Sequence, residues 1–416
     1  MNDVFKTLHQ PTPAPLPEAA GTKKAKVGHN KSGTVKQNTF NAMTNKEQTT
    51  TGAASEMQFG SNTIRLSVRD WVIAASIVLT VMILTPTVWK HLEPFNPSTD
   101  FRVPYDLSDD YWVYQRLVER TIQDERILVI GDSVIWGEYV DPQHTLLRHL
   151  NDLCGEDRFA NGGLNASHPL ALQGLVRYYA KEVKDTRVIL HCNLLWMSSV
   201  ERDLQTEMEI AFNHPRLVPQ FLPRVPCYKA SSAERMGNVI DHHVSLRVWV
   251  NHLNVTGFES LDIHSWTLEN PYENPFDRIN LAPIQPKDKP HSRPIAWTER
   301  GIQRRDIPWI DLDKSLQWRA FRTTAELLRD RGNSVFVIIG PLNEHMLTDE
   351  SRDRFRTMSR QAESWLADRE IAYYAAVPLP SREYADASHP LDAGYKRLAR
   401  QVYDQTEFQH WLRGRP

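Results

Sequence analysis

The chain has 416 residues, with 49 Lys and Arg against 51 Asp and Glu, and a net charge of −2 excludes a grip on polyanions by bulk charge. Hydrophobic residues make up 41%, and 12 Trp, 13 Tyr and 14 Phe need an interior, so disorder throughout is excluded, although 26 Pro imply many irregular connections. Three Cys, none in a CxxC pair, are too few for a disulfide framework and give no support to a zinc ribbon or a thioredoxin-type site.

Residues 1 to about 62 are polar and of low complexity: Pro11, Pro13, Pro15 and Pro17, then Lys23, Lys24 and Lys26, then a run rich in Asn, Gln, Thr and Gly. No periodic apolar face appears, and a disordered tail is expected over residues 1–70. Trp71 to Trp89 follows, nineteen residues without a charge. As a helix it spans roughly 28 Å, about one bilayer core. Trp71 and Trp89 at its ends, with Arg69 before and Lys90 after, suit interfacial anchoring, and Pro86 falls where a helix exits. A buried core helix is the bland alternative, but a segment apolar all round beside a disordered tail has no neighbouring core to enter. A cleaved signal peptide is the other alternative; the leader is long for one and no A-x-A site precedes Trp89, so an uncleaved signal anchor over 71–89 is expected. Met57 is an alternative start. Residues 1–70 carry nine Lys or Arg, whereas residues 90–110 carry only Lys90 and Arg102. The positive-inside rule then puts the tail in the cytoplasm and the rest outside, as a single-pass membrane protein.

From about residue 125, short β-rich apolar runs alternate with helix-like stretches, the pattern of a parallel sheet covered by helices on both faces. The expected strands are Arg126 to Ile130, Phe159 to Asn161, Val188 to Cys192, Ser334 to Ile339 and Ile371 to Ala376, with helices at about 142–154, 169–183, 312–331, 350–368 and 391–404. One domain over about 100–416 is expected, interrupted by an insertion at about 200–311 that is too long for a simple connection.

Ile127 to Ile130 runs straight into Gly131-Asp132-Ser133. A serine at the carboxyl end of a parallel strand stands in the crevice outside the sheet, where nucleophiles are favoured. Val134 and Ile135 follow it, so this is not the G-x-S-x-G elbow of α/β-hydrolases. Taken alone, such a tripeptide more often only turns the chain. Near the C-terminus, Asp386-Ala-Ser-His389-Pro leads towards Gly394 and Tyr395. The spacing lets one loop present a carboxylate and an imidazole together: Asp386 fixes the tautomer of His389, and His389 takes the proton of Ser133. Alternatively Asp386 caps the following helix and His389 is a surface residue.

With these two blocks in place the chain resembles the SGNH (GDSL-type) hydrolase superfamily. Gly131-Asp132-Ser133 matches its first block, and Asp386 to His389 its last. Phe159-Ala-Asn161-Gly-Gly163-Leu-Asn-Ala166 resembles the second block, Asn-x-Gly-x-x-Gly, with Ala166 at the last glycine. His191-Cys192-Asn193-Leu194 loosely matches the third block, in which an asparagine is the side-chain oxyanion donor. The resemblance covers about 125–200 and 312–405 and implies a flavodoxin-like α/β/α sandwich with a parallel sheet. It further implies acyl transfer through an acyl-Ser133, with His389 as general base and acid. The oxyanion hole would draw on the amides of Ser133 and of Ala166 or Gly163, together with Asn193, and no metal or organic cofactor is required.

The insertion carries Trp249, Trp266, Trp297, Trp309, Tyr228 and Tyr272, which either stack on sugar rings or, more commonly, pack under long loops. Adjacent His242 and His243 lack metal-ligand spacing. Cys192 reads as a packed thiol, not a second nucleophile. Arg304, Arg305, Arg352, Arg354 and Arg356 alternate with Asp and Glu as on a solvated helix, and no nucleic-acid motif accompanies them. The expectation is a membrane-anchored, extracytoplasmic serine esterase or O-acyltransferase. Its substrate is an ester-bearing small molecule or polysaccharide, with carbohydrate esters ahead of lipid esters by analogy. The rival from another class is a non-catalytic carbohydrate-binding or scaffold protein of an envelope polysaccharide assembly, motivated by Ala166 and the imperfect third block.

Overall fold

The computed structural model describes residues 67–281 and 292–414; the low-complexity tail expected over 1–70 lies outside them up to residue 66. The chain divides into two units, 1–76 and 77–416. Helix α1, Val68–Leu92, opens in the first. Its start is a reciprocal cap: Ser67 N–H and Oγ–H donate to Asp70 Oδ2, and Asp70 N–H donates to Ser67 Oγ. Among the described residues it is the one helix long and apolar enough to cross a membrane, with a mean hydropathy of 2.1 and most of its surface unburied.

Within residues 77–416, the chain leaving α1 is held by buried charges. Glu93 Oε1 lies 2.7 Å from His252 Nε2, and His252 Nδ1 lies 2.7 Å from Asp110 Oδ2. Trp112 Nε1–H donates to Glu93 Oε2 at 3.1 Å, and Arg116 pairs with the same carboxylate. Asp110 also caps helix α2, Tyr111–Gln123, by accepting from the amides of Trp112 and Val113. Trp89 meets Trp249 edge to face with centroids 5.5 Å apart.

The remainder runs β1 (Ile127–Gly131), α3 (Ser133–Trp136), α4 (Leu146–Cys154), β2 (Phe159–Gly163), α5 (Pro169–Tyr179) and β3 (Arg187–Cys192). The expected insertion contributes α6 (Ser232–His243), α7 (Ser245–Gly257) and α8 (Ile263–Glu269). Then come α9 (Leu316–Asp330), β4 (Ser334–Ile339), α10 (Asp349–Ala367), β5 (Ala372–Ala375), α11 (Asp392–Tyr403) and α12 (Thr406–Arg413). The five strands form one parallel sheet in the order β2-β1-β3-β4-β5. Leu128 stands opposite Ala160 and Val188, and Leu190 opposite Val337.

Alternation along the strands divides the interior. Leu128, Ile130, Val188, Leu190 and Val337 pack with Leu117, Leu175, Phe321 and Leu366 of α2, α5, α9 and α10. Ile127, Val129, Ile189, Phe336 and Ile338 face the other way, onto Leu150, Leu398 and Phe408 of α4, α11 and α12. Burial on both faces explains why the strands read as continuous apolar runs, each large side chain contributing ~1.5–3 kcal/mol. The connection after β1 covers one face and the connection after β2 the other, so the crevice beyond Gly131 is a switch point of the sheet.

Sequence reading places β2 two residues too short and α5 four residues too long. Tyr179 ends α5, with Ala180 N–H turning back to Leu175 O. The insertion's aromatic residues mostly pack: Trp266 and Trp297 are buried, and Trp309 Nε1–H donates to Ser351 O at 3.0 Å. Tyr272 is fully exposed. His242 stacks on Tyr178 with centroids 4.0 Å apart. Arg352, Arg354 and Arg356 of α10 pair with Asp349, Asp306 and the nearly buried Glu344.

Candidate active site

Gly131 ends β1 where nothing larger fits: a Cβ there would lie 2.3 Å from Ile135 Cγ1 and 2.8 Å from His191 Cβ. Asp132 then caps α3, its Oδ1 accepting from Val134 N–H at 3.0 Å, and the cap sets Ser133 as the first helical residue. On the far side, Tyr395 of α11 donates its hydroxyl to Val134 O at 2.7 Å, and a Cβ at Gly394 would lie 2.6 Å from Glu383 O. The glycine and tyrosine downstream of His389 therefore seat the C-terminal loop against α3.

That seating brings the two sequence blocks together across 256 residues. Ser133 Oγ lies 2.8 Å from His389 Nε2. His389 Nδ1 lies 2.8 and 2.9 Å from the two oxygens of Asp386. With a carboxylate at Nδ1, the proton of the neutral ring sits there, and Nε2 accepts from the serine hydroxyl. Asp386 is fixed in turn: its Oδ1 accepts from the Ser388 and His389 amides at 3.0 Å each, and its Oδ2 accepts from Tyr139 Oη–H at 3.1 Å. Arg300, from the insertion, donates to Tyr139 Oη at 3.3 Å. All three members of the chain are buried. Burial works against the charged form of His389, but the Asp386 carboxylate outweighs it and pushes the imidazole up to about 9.

The oxyanion candidates fare unequally. Gly163 N–H donates to Asn161 Oδ1 at 3.0 Å, which removes it from the donor set. Its role is packing, because a Cβ there would lie 2.4 Å from Trp136 N. Ala166 occupies the left-handed region with φ 53°, the conformation a glycine at this position would supply without strain. Asn193 Nδ2 donates to Asp132 Oδ2 at 2.8 Å and its Oδ1 accepts from Leu195 N–H, leaving one amide N–H for another acceptor.

Asp132 is itself the centre of a buried array. Trp196 Nε1–H donates to its Oδ2 at 2.9 Å, and His191 Nδ1 lies 3.2 Å from Oδ1, within ion-pair reach but off the line of a hydrogen bond. Against the cost of burial, His191 chiefly, then His389 and Trp196, hold the Asp132 carboxyl down to about 2. His191 Nε2 faces Gly340 O at 2.8 Å. Tyr139, Arg300 and Trp196 escape sequence reasoning, since the first reaches the site from a turn and the other two from short 3-10 helices with no local signature; His191 is visible there only as a departure from the third block. The described residues hold no group of three His, Cys, Asp or Glu side chains set to bind a metal. Cys192 is buried beside Asp132, and burial first, then that charge, push its thiol up.

The fold and these contacts define a parallel α/β protein with a buried serine–histidine–carboxylate chain at the strand ends. No family model and no curated protein matches the chain, so the geometry carries the reading.

Proposed function

We propose that the protein is an SGNH-type serine esterase or O-acyltransferase acting through an acyl-Ser133 intermediate. The observation that carries this is the 2.8 Å contact of Ser133 Oγ with His389 Nε2, backed by Asp386 on the other ring nitrogen. Ser133 Oγ attacks the ester carbonyl as its proton passes to Nε2. The imidazolium, paired with Asp386, then returns that proton to the leaving alkoxide. Water or a second hydroxyl adds to the acyl carbon by the reverse sequence. The developing oxyanion would draw on the Ser133 and Ala166 amides and the remaining N–H of Asn193, each such donor contributing ~3 kcal/mol.

Helix α1 would anchor this domain with its N-terminus cytoplasmic and residues beyond 92 outside, from the excess of basic residues before it. An anchored extracytoplasmic domain of this chemistry is suited to acyl esters of exported carbohydrate. The test is turnover of 4-nitrophenyl acetate by the full chain in nanodiscs. Release of nitrophenol by wild type and its loss in Ser133→Ala support the reading; equal rates in both overturn it.

A further inference from the structure

A groove of about 340 Å³ opens at Asn193 and runs beside α10, within the range of small-molecule sites (~300–1,000 Å³). Its floor is apolar, made by Leu194, Leu342 and Phe355. Its rim is polar and carries both signs: Arg356, Arg360, Glu344 and Glu363. Arg356 Nε donates to Glu344 Oε2 at 2.8 Å, and Glu363 Oε1 accepts from Ser359 Oγ at 3.2 Å, which leaves the other carboxylate oxygen of Glu363 uncommitted. Arg360 is exposed and, among the described residues, reaches Arg356 O at 3.3 Å and Thr357 Oγ1 at 3.4 Å, with no carboxylate of theirs in ion-pair range.

We propose that this groove is the subsite for a short stretch of neutral glycan, the carbohydrate part of the ester whose acyl group is handled at Ser133. The chemistry of the walls separates the candidate ligands. An acyl chain covers the floor but offers nothing to a rim that has both donors and acceptors to fill. A polyanion meets Glu344 and Glu363 as well as the two arginines, so charge gives it no advantage. A pyranose lays its C–H face on the apolar floor and turns outward hydroxyls that donate to Glu363 and accept from Arg360. The placement of the ester end rests on the acyl-Ser133 reading; the glycan preference rests on the groove alone.

Saturation-transfer NMR on the full chain in nanodiscs tests this with cellotetraose, xylotetraose, mannotetraose and chitotetraose as neutral probes, tetragalacturonate as the anionic probe and decanoate as the acyl probe. At least one neutral tetraose is expected to bind, and Arg360→Ala and Glu363→Gln each to weaken it 10-fold or more. Arg400→Ala, exposed on α11, is expected to bind as wild type does. No binding by any neutral tetraose overturns the proposal, as does binding that both rim variants leave unchanged, or a decanoate or tetragalacturonate signal stronger than every neutral one. Fluorophosphonate labelling of the same wild-type sample separates the two readings. A labelled protein that binds no tetraose loses only the groove assignment, and an unlabelled one that binds a tetraose loses only the acyl-serine.

Discussion

Two buried histidines in this molecule are each pushed up to about 9 by carboxylates, against the effect of burial, and they differ in the partner on the second ring nitrogen. His252 has Asp110 on Nδ1 and Glu93 on Nε2, so both nitrogens donate and the ring is a fixed cation. His389 has Asp386 on Nδ1 and a hydroxyl on Nε2, so the second nitrogen faces a group that can surrender a proton. A raised histidine is therefore no functional mark in itself; the partner on its second nitrogen decides whether the pair braces the chain or activates a nucleophile.

The comparison is broken most sharply by deleting each histidine in turn. Ser133→Ala and His389→Ala are expected to lower kcat for ester hydrolysis by roughly 10⁴-fold or more, in protein that melts cooperatively. Comparable turnover in either variant would remove His389 from its side of the contrast. His252→Ala is expected to do the opposite. It leaves Asp110 buried without its cation and Glu93 with Arg116 alone, and costs about 3–5 kcal/mol in chemical denaturation, while the folded fraction keeps its turnover per molecule.

Asp386→Asn sharpens the acid–base half. Turnover should fall by roughly 10²–10⁴-fold. On the acyl-Ser133 reading, His389 of the wild type must be neutral to accept the serine proton, so kcat/KM is expected to climb with pH and to level above about 9. In the variant the midpoint moves down towards that of an ordinary histidine. A wild-type profile already level at pH 7 would contradict the coupling.

The clamp beside α1 has its own pH window. His252 is raised from 6.5 to about 9, so its stabilisation is complete below 6.5 and is lost as pH rises through about 9. For Glu93 burial favours the neutral acid, but His252, Trp112 and Arg116 together lower it from 4.5 to about 2, so its stabilisation is present above 4.5 and is lost as pH falls through about 2. Melting temperatures across pH 2–10 should show both flanks, with the alkaline one flatter in His252→Gln. The smallest expected change is Ala166→Gly, which relieves a left-handed alanine and gains about 1 kcal/mol in denaturant titrations.

Legibility followed locality. The strand into Gly131-Asp132-Ser133, the Asp386 to His389 spacing and the uninterrupted apolar run of α1 are written in contiguous residues, and sequence reading finds them. Helix α2 was within reach: Asp110 caps it and Trp112, Val113, Leu117 and Val118 trace its buried face. The insertion's helices were not, because each buries only one or two side chains, such as His252 and Leu253 in α7 or Trp266 in α8, too few to make a period. The commitment of Gly163 N–H to Asn161, and the approach of Tyr139 to Asp386, exist only once β2 and the C-terminal loop have packed.

The most direct measurement on the central claim is mass mapping of the adduct after the full chain in nanodiscs reacts with a fluorophosphonate at pH 7 and pH 9. The account predicts one modified peptide, adducted at Ser133, forming faster at pH 9 and absent in His389→Ala. An adduct on a different serine, or a folded wild type that stays unmodified at both pH values, would contradict it.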